Sequence, residues 1–180
     1  FLPVRVETYD MYAEGDVRRD ATCWDVRGVT YTERYQDTHI WLAKYRPFTE
    51  NNKDAGFDNN LNYNNNYRYY RYAETLLNAA ELSVRTGSGN AATYLNEVRT
   101  RAGLDNIDAT IDNIIEERHL EFVGEGKRYW DLVRTGLAAS VLVPDQYGYR
   151  TNAWTARKKH IPIAQAEIDA AQGTLVQNNY

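Results

Sequence analysis

Residues 117–134 concentrate the charge that could do chemistry, with Glu117, Arg118, His119, Glu121, Glu125, Arg128, Asp131 and Arg134 close together. Two carboxylates facing one another across a cleft, about 5 to 9.5 Å apart, could act as the acid and base of a glycoside hydrolase. Acids crowded into one helical segment give no sign of such a cleft. Arg118 and Glu121 stand at the three-residue spacing of helix neighbours, and Glu125, flanked by Gly124 and Gly126, precedes Arg128 and Asp131. Guanidinium–carboxylate bonds among Arg118, Glu121, Glu125, Arg128 and Asp131 are the expectation, forming an ion network that sets the angle between helices. A network of that kind is structural, and no residue is assigned a catalytic role.

Other chemistries find little support. His39, His119 and His160 are scattered, with no pair at the four-residue spacing that seats two imidazoles on one metal. The single Cys23 reads as an ordinary buried or half-buried thiol. No nucleophile elbow, P-loop or dinucleotide fingerprint occurs, so no metal and no cofactor is expected. A formal net charge of −4 and a pI near 5.4 argue against a nucleic-acid partner.

The aromatic residues are more suggestive. The chain has 15 Tyr and 4 Trp against 4 Phe, an excess of rings with a hydrogen-bonding tip, which suits wet recognition surfaces as well as cores. Trp24, Tyr31, Trp41 and Tyr45, with Arg27 and Arg34 nearby, could form a platform on which a sugar ring stacks while polar groups bond its hydroxyls. The bland alternative is that Trp41 and Tyr45 pack beneath a loop. The run Tyr67, Tyr69, Tyr70, Tyr72 and the ring of Trp130 read as core, and Trp154 is left open.

These residues need elements to hold them. At 180 residues and 43% hydrophobic, the chain can bury one core, and one domain spanning 1–180 is expected. Residues 1–65 read as irregular β and loop, with β-prone pieces at 3–6 and 28–32 and an Asn-rich turn region at 49–66. Residues 66–180 read as helical with an extended tail. Apolar positions spaced by three and four predict a helix over 67–86, stopped at Gly87, and a second over 91–102, making an antiparallel pair like one tetratricopeptide unit. A third helix is predicted from about 108 to 122, a short one over 128–134, and another over 164–171. No apolar run approaches the roughly 18 residues of a membrane span.

Three ordered blocks carry a resemblance. Arg71-Tyr72-Ala73-Glu74, followed by Leu76-Leu77 and Ala80-Glu81, is one. Leu95-Asn96-Glu97-Val98-Arg99 with Arg101-Ala102-Gly103-Leu104 is the second. The most specific runs from Glu117-Arg118 through Glu121-Phe122 and Gly124-Glu125-Gly126 to Arg128-Tyr129-Trp130-Asp131-Leu132 and Arg134. Ile161-Pro162-Ile163 and Gln177-Asn178 complete the set, while Gly15-Asp16-Val17-Arg18 matches only loosely. The sequence resembles the C-terminal portion of the SusD/RagB family of outer-membrane nutrient-binding lipoproteins. That resemblance implies a mainly α fold, a SusD-like superhelix of tetratricopeptide-like helical pairs with an irregular β and loop region. It also implies capture of a glycan or peptide at the outer surface of the outer membrane and delivery to a SusC-like TonB-dependent transporter. Family members are longer, so the N-terminal half, with the lipid anchor, is expected to lie outside this chain. A protein-interaction scaffold of helical repeats is the rival reading, and a glycoside hydrolase the weaker one.

Overall fold

The computed structural model describes residues 3–46 and 65–180, so most of the Asn-rich stretch expected to form turns lies outside the described residues. Within the first part, α1 (Val6–Asp10) and α2 (Arg18–Thr22) are single helical turns. Two short strands, β1 (Cys23–Asp25) and β2 (Ile40–Leu42), pair antiparallel in the register Cys23 with Leu42, Trp24 with Trp41 and Asp25 with Ile40. The β-prone piece at 3–6 is a correction: only Pro3 bridges to Trp41, and Val6 already starts α1. The piece at 28–32 is turn and irregular backbone, with Gly28 in the left-handed region (φ 90°).

The longer helices carry the fold. α3 (Tyr72–Thr86) buries Ala73, Leu76, Leu77 and Ala80, and Gly87 caps it at φ 69°, a left-handed conformation that costs glycine nothing. The chain then reverses into α4 (Ala91–Arg101), whose Leu95 and Val98 meet that stripe. α5 (Ile111–Glu121) follows, its first turn capped by Thr110, whose hydroxyl accepts the Asn113 N–H at 3.1 Å. Ile114 and Phe122 close this core against α3. Leu77, Leu95 and Ile114 are fully buried, and each such side chain contributes about 1.5–3 kcal/mol.

A second core lies under the two-stranded ribbon. Cys23, Ile40 and Leu42 point inward with Val4, Tyr12 and Leu120, and the Tyr12 hydroxyl donates to the Leu120 carbonyl at 2.9 Å. Burial pushes the Cys23 thiol up to about 11, so it stays protonated and inert at neutral pH.

The chain forms two compact units, Phe1–Arg128 and Tyr129–Tyr180, with the division inside α6 (Arg128–Arg134). The second unit holds the rest of that helix, α7 (Ala138–Val141), a 3-10 turn at Ala156–Lys159 and α8 (Gln165–Ala170). There the Gln177 side chain acts as a strand neighbour, accepting the Ile163 N–H and donating to its carbonyl, both at 2.9 Å. The Trp154 indole donates to the Tyr129 hydroxyl at 3.2 Å. Trp130, expected in the core, is 47% exposed.

Candidate functional site

Side chains alternate across a strand, so the residues flanked by the inward-facing Cys23, Ile40 and Leu42 must face the other way. Those residues are Trp24 and Trp41, directly opposite one another in the ladder. Their outer face lines a cavity of about 540 Å³ whose other walls include Val26, Val29, Tyr31 and Arg34. A volume of that order suits a small ligand. Trp24 is 49% exposed, and the Arg46 guanidinium lies over its ring at 4.5 Å. The arrangement offers apolar ring faces with a few polar groups, Tyr31, Thr32 and Arg34, at the rim, which is chemistry suited to binding.

Of the six residues expected to touch ligand, Trp24, Tyr31, Arg34 and Trp41 come together here. Arg27 does not line the cavity. It forks onto Asp25, with Nη2 to Oδ2 at 2.6 Å and Nε to Oδ1 at 3.0 Å, and lies 5.0 Å from the Tyr9 ring. That guanidinium holds the Asp25 carboxyl at about 2. Tyr45 stacks on Tyr67 at 5.5 Å and borders the ion network instead.

Sequence reasoning missed the loop that shapes one wall. Asp37 Oδ1 accepts the Tyr31 hydroxyl at 2.9 Å and the His39 N–H at 2.8 Å, while Oδ2 accepts the Arg34 N–H at 3.1 Å. Desolvation alone would raise the Asp37 carboxyl, but these donors hold it below its usual range. The Tyr31 hydroxyl is raised, first by desolvation and then by Asp37, against the opposing Trp41 side chain.

The acids of 117–134 are buried and engaged, Glu117, Glu121 and Glu125 with partners far away in sequence. Glu121 Oε1 accepts Arg71 Nη1 at 2.5 Å and Arg101 Nη2 at 2.6 Å, and its Oε2 accepts Arg18 Nη1 at 3.0 Å. Glu117 receives Arg18 at 2.5 Å and Arg99 at 2.9 Å. Glu125 receives Arg71 at 2.8 Å and Lys44 at 2.7 Å. Arg18 also forks onto Asp16, with Nε to Oδ1 at 2.9 Å and Nη2 to Oδ2 at 2.7 Å. The loosely matching Asp16-Val17-Arg18 segment is therefore part of the network. Burial opposes the charge of Arg18, but its three carboxylate partners raise its pKa well above the ordinary value.

The remaining charged residues of this segment have further partners. Arg118 donates to Asn78 Oδ1 at 2.7 Å and lies 5.2 Å from the Phe122 ring. Arg128 donates to the Ile115 carbonyl at 3.4 Å. Asp131, in the second unit, accepts Arg134 Nε at 2.9 Å and Nη2 at 2.7 Å. Among the described residues no group of three His, Cys, Asp or Glu is placed to hold a metal ion.

Comparison with known proteins agrees with this architecture. The model of the SusD family matches residues 20–180. SusD-like protein P2 of Formosa agariphila is 30% identical over 97% of this chain and 39% of its own length. Surface glycan-binding protein A from Bacteroides thetaiotaomicron, one of whose structures is a complex with laminarihexaose, superposes with a TM-score of 0.91 at 61% identity. That match covers 99% of this chain and 41% of the other. Surface glycan-binding protein A from Bacteroides uniformis gives a TM-score of 0.89 at 62% identity, covering 100% of this chain and 41% of the other. The chain spans about two-fifths of the length of these relatives. It belongs to the SusD family, and its mainly α fold is that of SusD-like proteins.

Proposed function

We propose that the protein containing this chain captures an oligosaccharide of the laminarihexaose kind on the Trp24–Trp41 face and makes or breaks no bond in it. The observation that carries this reading is the cross-strand tryptophan pair, turned away from the core and opening on an apolar cavity of about 540 Å³. Indole faces cover the C–H side of a sugar ring, the Tyr31 ring extends that apolar wall, and Arg34 at the rim suits the sugar hydroxyls. The laminarihexaose complex of the 61%-identical Bacteroides thetaiotaomicron protein supports the choice of ligand. Family membership supports the setting: the outer surface of the outer membrane, a lipid anchor, and delivery to a SusC-like TonB-dependent transporter. No helix among the described residues is long and apolar enough to cross a membrane.

Non-catalytic action is supported by the state of the acids. Glu117, Glu121 and Glu125 are buried under guanidinium and ammonium groups, so none is poised to protonate a leaving group.

Isothermal titration with laminarihexaose tests the reading. Wild type is expected to bind, and Trp24→Ala and Trp41→Ala are each expected to weaken binding at least about tenfold, as removal of a central aromatic anchor does. No heat from the sugar, or unchanged affinity in both variants, would overturn it. Reducing-end release should stay at the protein-free level; release that disappears in a folded Glu121→Gln variant would overturn the non-catalytic assignment.

A further inference from the structure

The rim of the cavity depends on a residue that does not line it. We infer that Asp37 is the positioning residue of the cleft, its carboxylate holding residues 31–39 in the conformation that brings Tyr31 and Arg34 up to the tryptophan pair. This rests on the proposal that the cleft binds oligosaccharide.

The far end of the loop is anchored to neighbouring segments. There the Thr38 hydroxyl donates to the Val4 carbonyl at 2.6 Å, and the Val26 N–H donates to the His39 carbonyl at 2.9 Å. Residues 32–36, by contrast, are exposed. The backbone between is also one that a free peptide resists, because Gln36 (φ 55°) and His39 (φ 58°) sit in the left-handed region without being glycine. Such conformations persist only where the surroundings over-determine them.

Asp37 supplies that determination. One carboxylate collects a side-chain hydroxyl and two backbone N–H groups spread over Tyr31, Arg34 and His39. A second clasp crosses the same span, with His39 Nε2 3.2 Å from Glu33 and the His39 ring edge-on to Tyr31 at 5.5 Å. The groups bonded to Asp37 are thus donors, and the nearby acid Glu33 is turned to His39.

The consequence for affinity follows from populations. A loop that holds the binding conformation only a fraction of the time lowers apparent affinity by that fraction. If removal of the carboxylate leaves Tyr31 and Arg34 correctly placed about a tenth of the time, laminarihexaose binds about tenfold more weakly although no contact with sugar has been deleted.

The experiment compares wild type, Asp37→Ala, Asp37→Asn, Tyr31→Phe and the Tyr31→Phe/Asp37→Ala double variant by titration with laminarihexaose. Asp37→Ala should lose about tenfold or more, with a melting temperature within about 3 °C of wild type because the loop lies outside both cores. Asp37→Asn should lie between, since its amide oxygen still accepts. The double variant should bind no worse than Asp37→Ala alone, because the Tyr31 hydroxyl acts through the carboxylate. In hydrogen exchange, the Arg34 and His39 amides should open faster in Asp37→Ala. Equal affinity in Asp37→Ala, full additivity in the double variant, or unchanged exchange would each overturn the positioning role. A wild type that ignores laminarihexaose would instead overturn the glycan proposal, and the exchange measurement still decides whether Asp37 holds the loop.

Discussion

Glu121 illustrates how unequal the bonds to one carboxylate can be. It takes guanidinium groups from Arg18, Arg71 and Arg101, yet the Arg18 side chain is 7% exposed and that of Arg101 is 59% exposed. Exposed ion pairs contribute little because water competes for both charges, whereas removing one member of a buried set strands the others. Arg18 has a further obligation: the Asp16 side chain is wholly buried and forks onto it. Arg18→Ala is therefore expected to destabilise the fold by about 3–5 kcal/mol in urea denaturation. Arg101→Ala should cost about 1 kcal/mol or less, because Arg18 and Arg71 still cover Glu121. Equal losses in the two variants would show that burial does not set the value of these bonds.

At the scale of elements, the ribbon that presents Trp41 is buttressed by a glycine in another segment. A Cβ on Gly124 would come within 2.5 Å of Leu42 Cδ2 and 2.7 Å of Cδ1, and Gly124 has φ 78°. Gly124→Ala thus meets both a steric and a conformational obstacle, and Leu42 adjoins Trp41 on β2. A loss of about 1–3 kcal/mol in stability is expected, with weaker laminarihexaose binding as the ribbon shifts. Thermal melts and titration of the one variant check both, and a variant as stable as wild type would show that Leu42 simply turns aside.

The Gly124-Glu125-Gly126 punctuation was readable in advance, as were α3, α4, α5 and α6, because each has an apolar period or a clear stop. The starts were less so. Tyr69 fits the stripe that leads into α3, yet Arg71 has an extended backbone (φ −151°, ψ 162°) and the helix begins only at Tyr72. Its guanidinium is drawn to Glu121 and Glu125, and Tyr69, left ahead of the helix, is 81% exposed rather than core. Single-turn helices such as α1 and α2 are too short to show a period, and tertiary contacts hold them. The rings of the cleft were visible as residue types. Their meeting depends on strand register, and Asp37 looks like any loop acid until its three donors are placed around it.

Across the first unit, one charge network ties the turn before α2, the start of α3, the end of α4 and the length of α5. Within this network Glu125 is the group whose response to acid is predictable in sign. Desolvation tends to raise the Glu125 carboxyl, but Arg71 and Lys44 outweigh it and hold the group below its ordinary value. A carboxylate depressed in the folded state contributes stability that is complete above the unfolded value, about 4.3, and is lost as pH falls through the folded one. Within that window the unfolded chain binds the extra proton, and each such proton costs about 1.4 kcal/mol of stability per pH unit. The Glu125 contribution to the melting temperature should therefore hold steady from neutral pH to about 5 and be lost below about 4.3. Glu125→Gln removes this titration but leaves Lys44 and part of Arg71 without a carboxylate, so it should melt lower at neutral pH and show a shallower acid slope. Thermal melts followed by circular dichroism between pH 7 and 3 distinguish the two slopes. Parallel curves would mean that Glu125 carries none of the acid sensitivity.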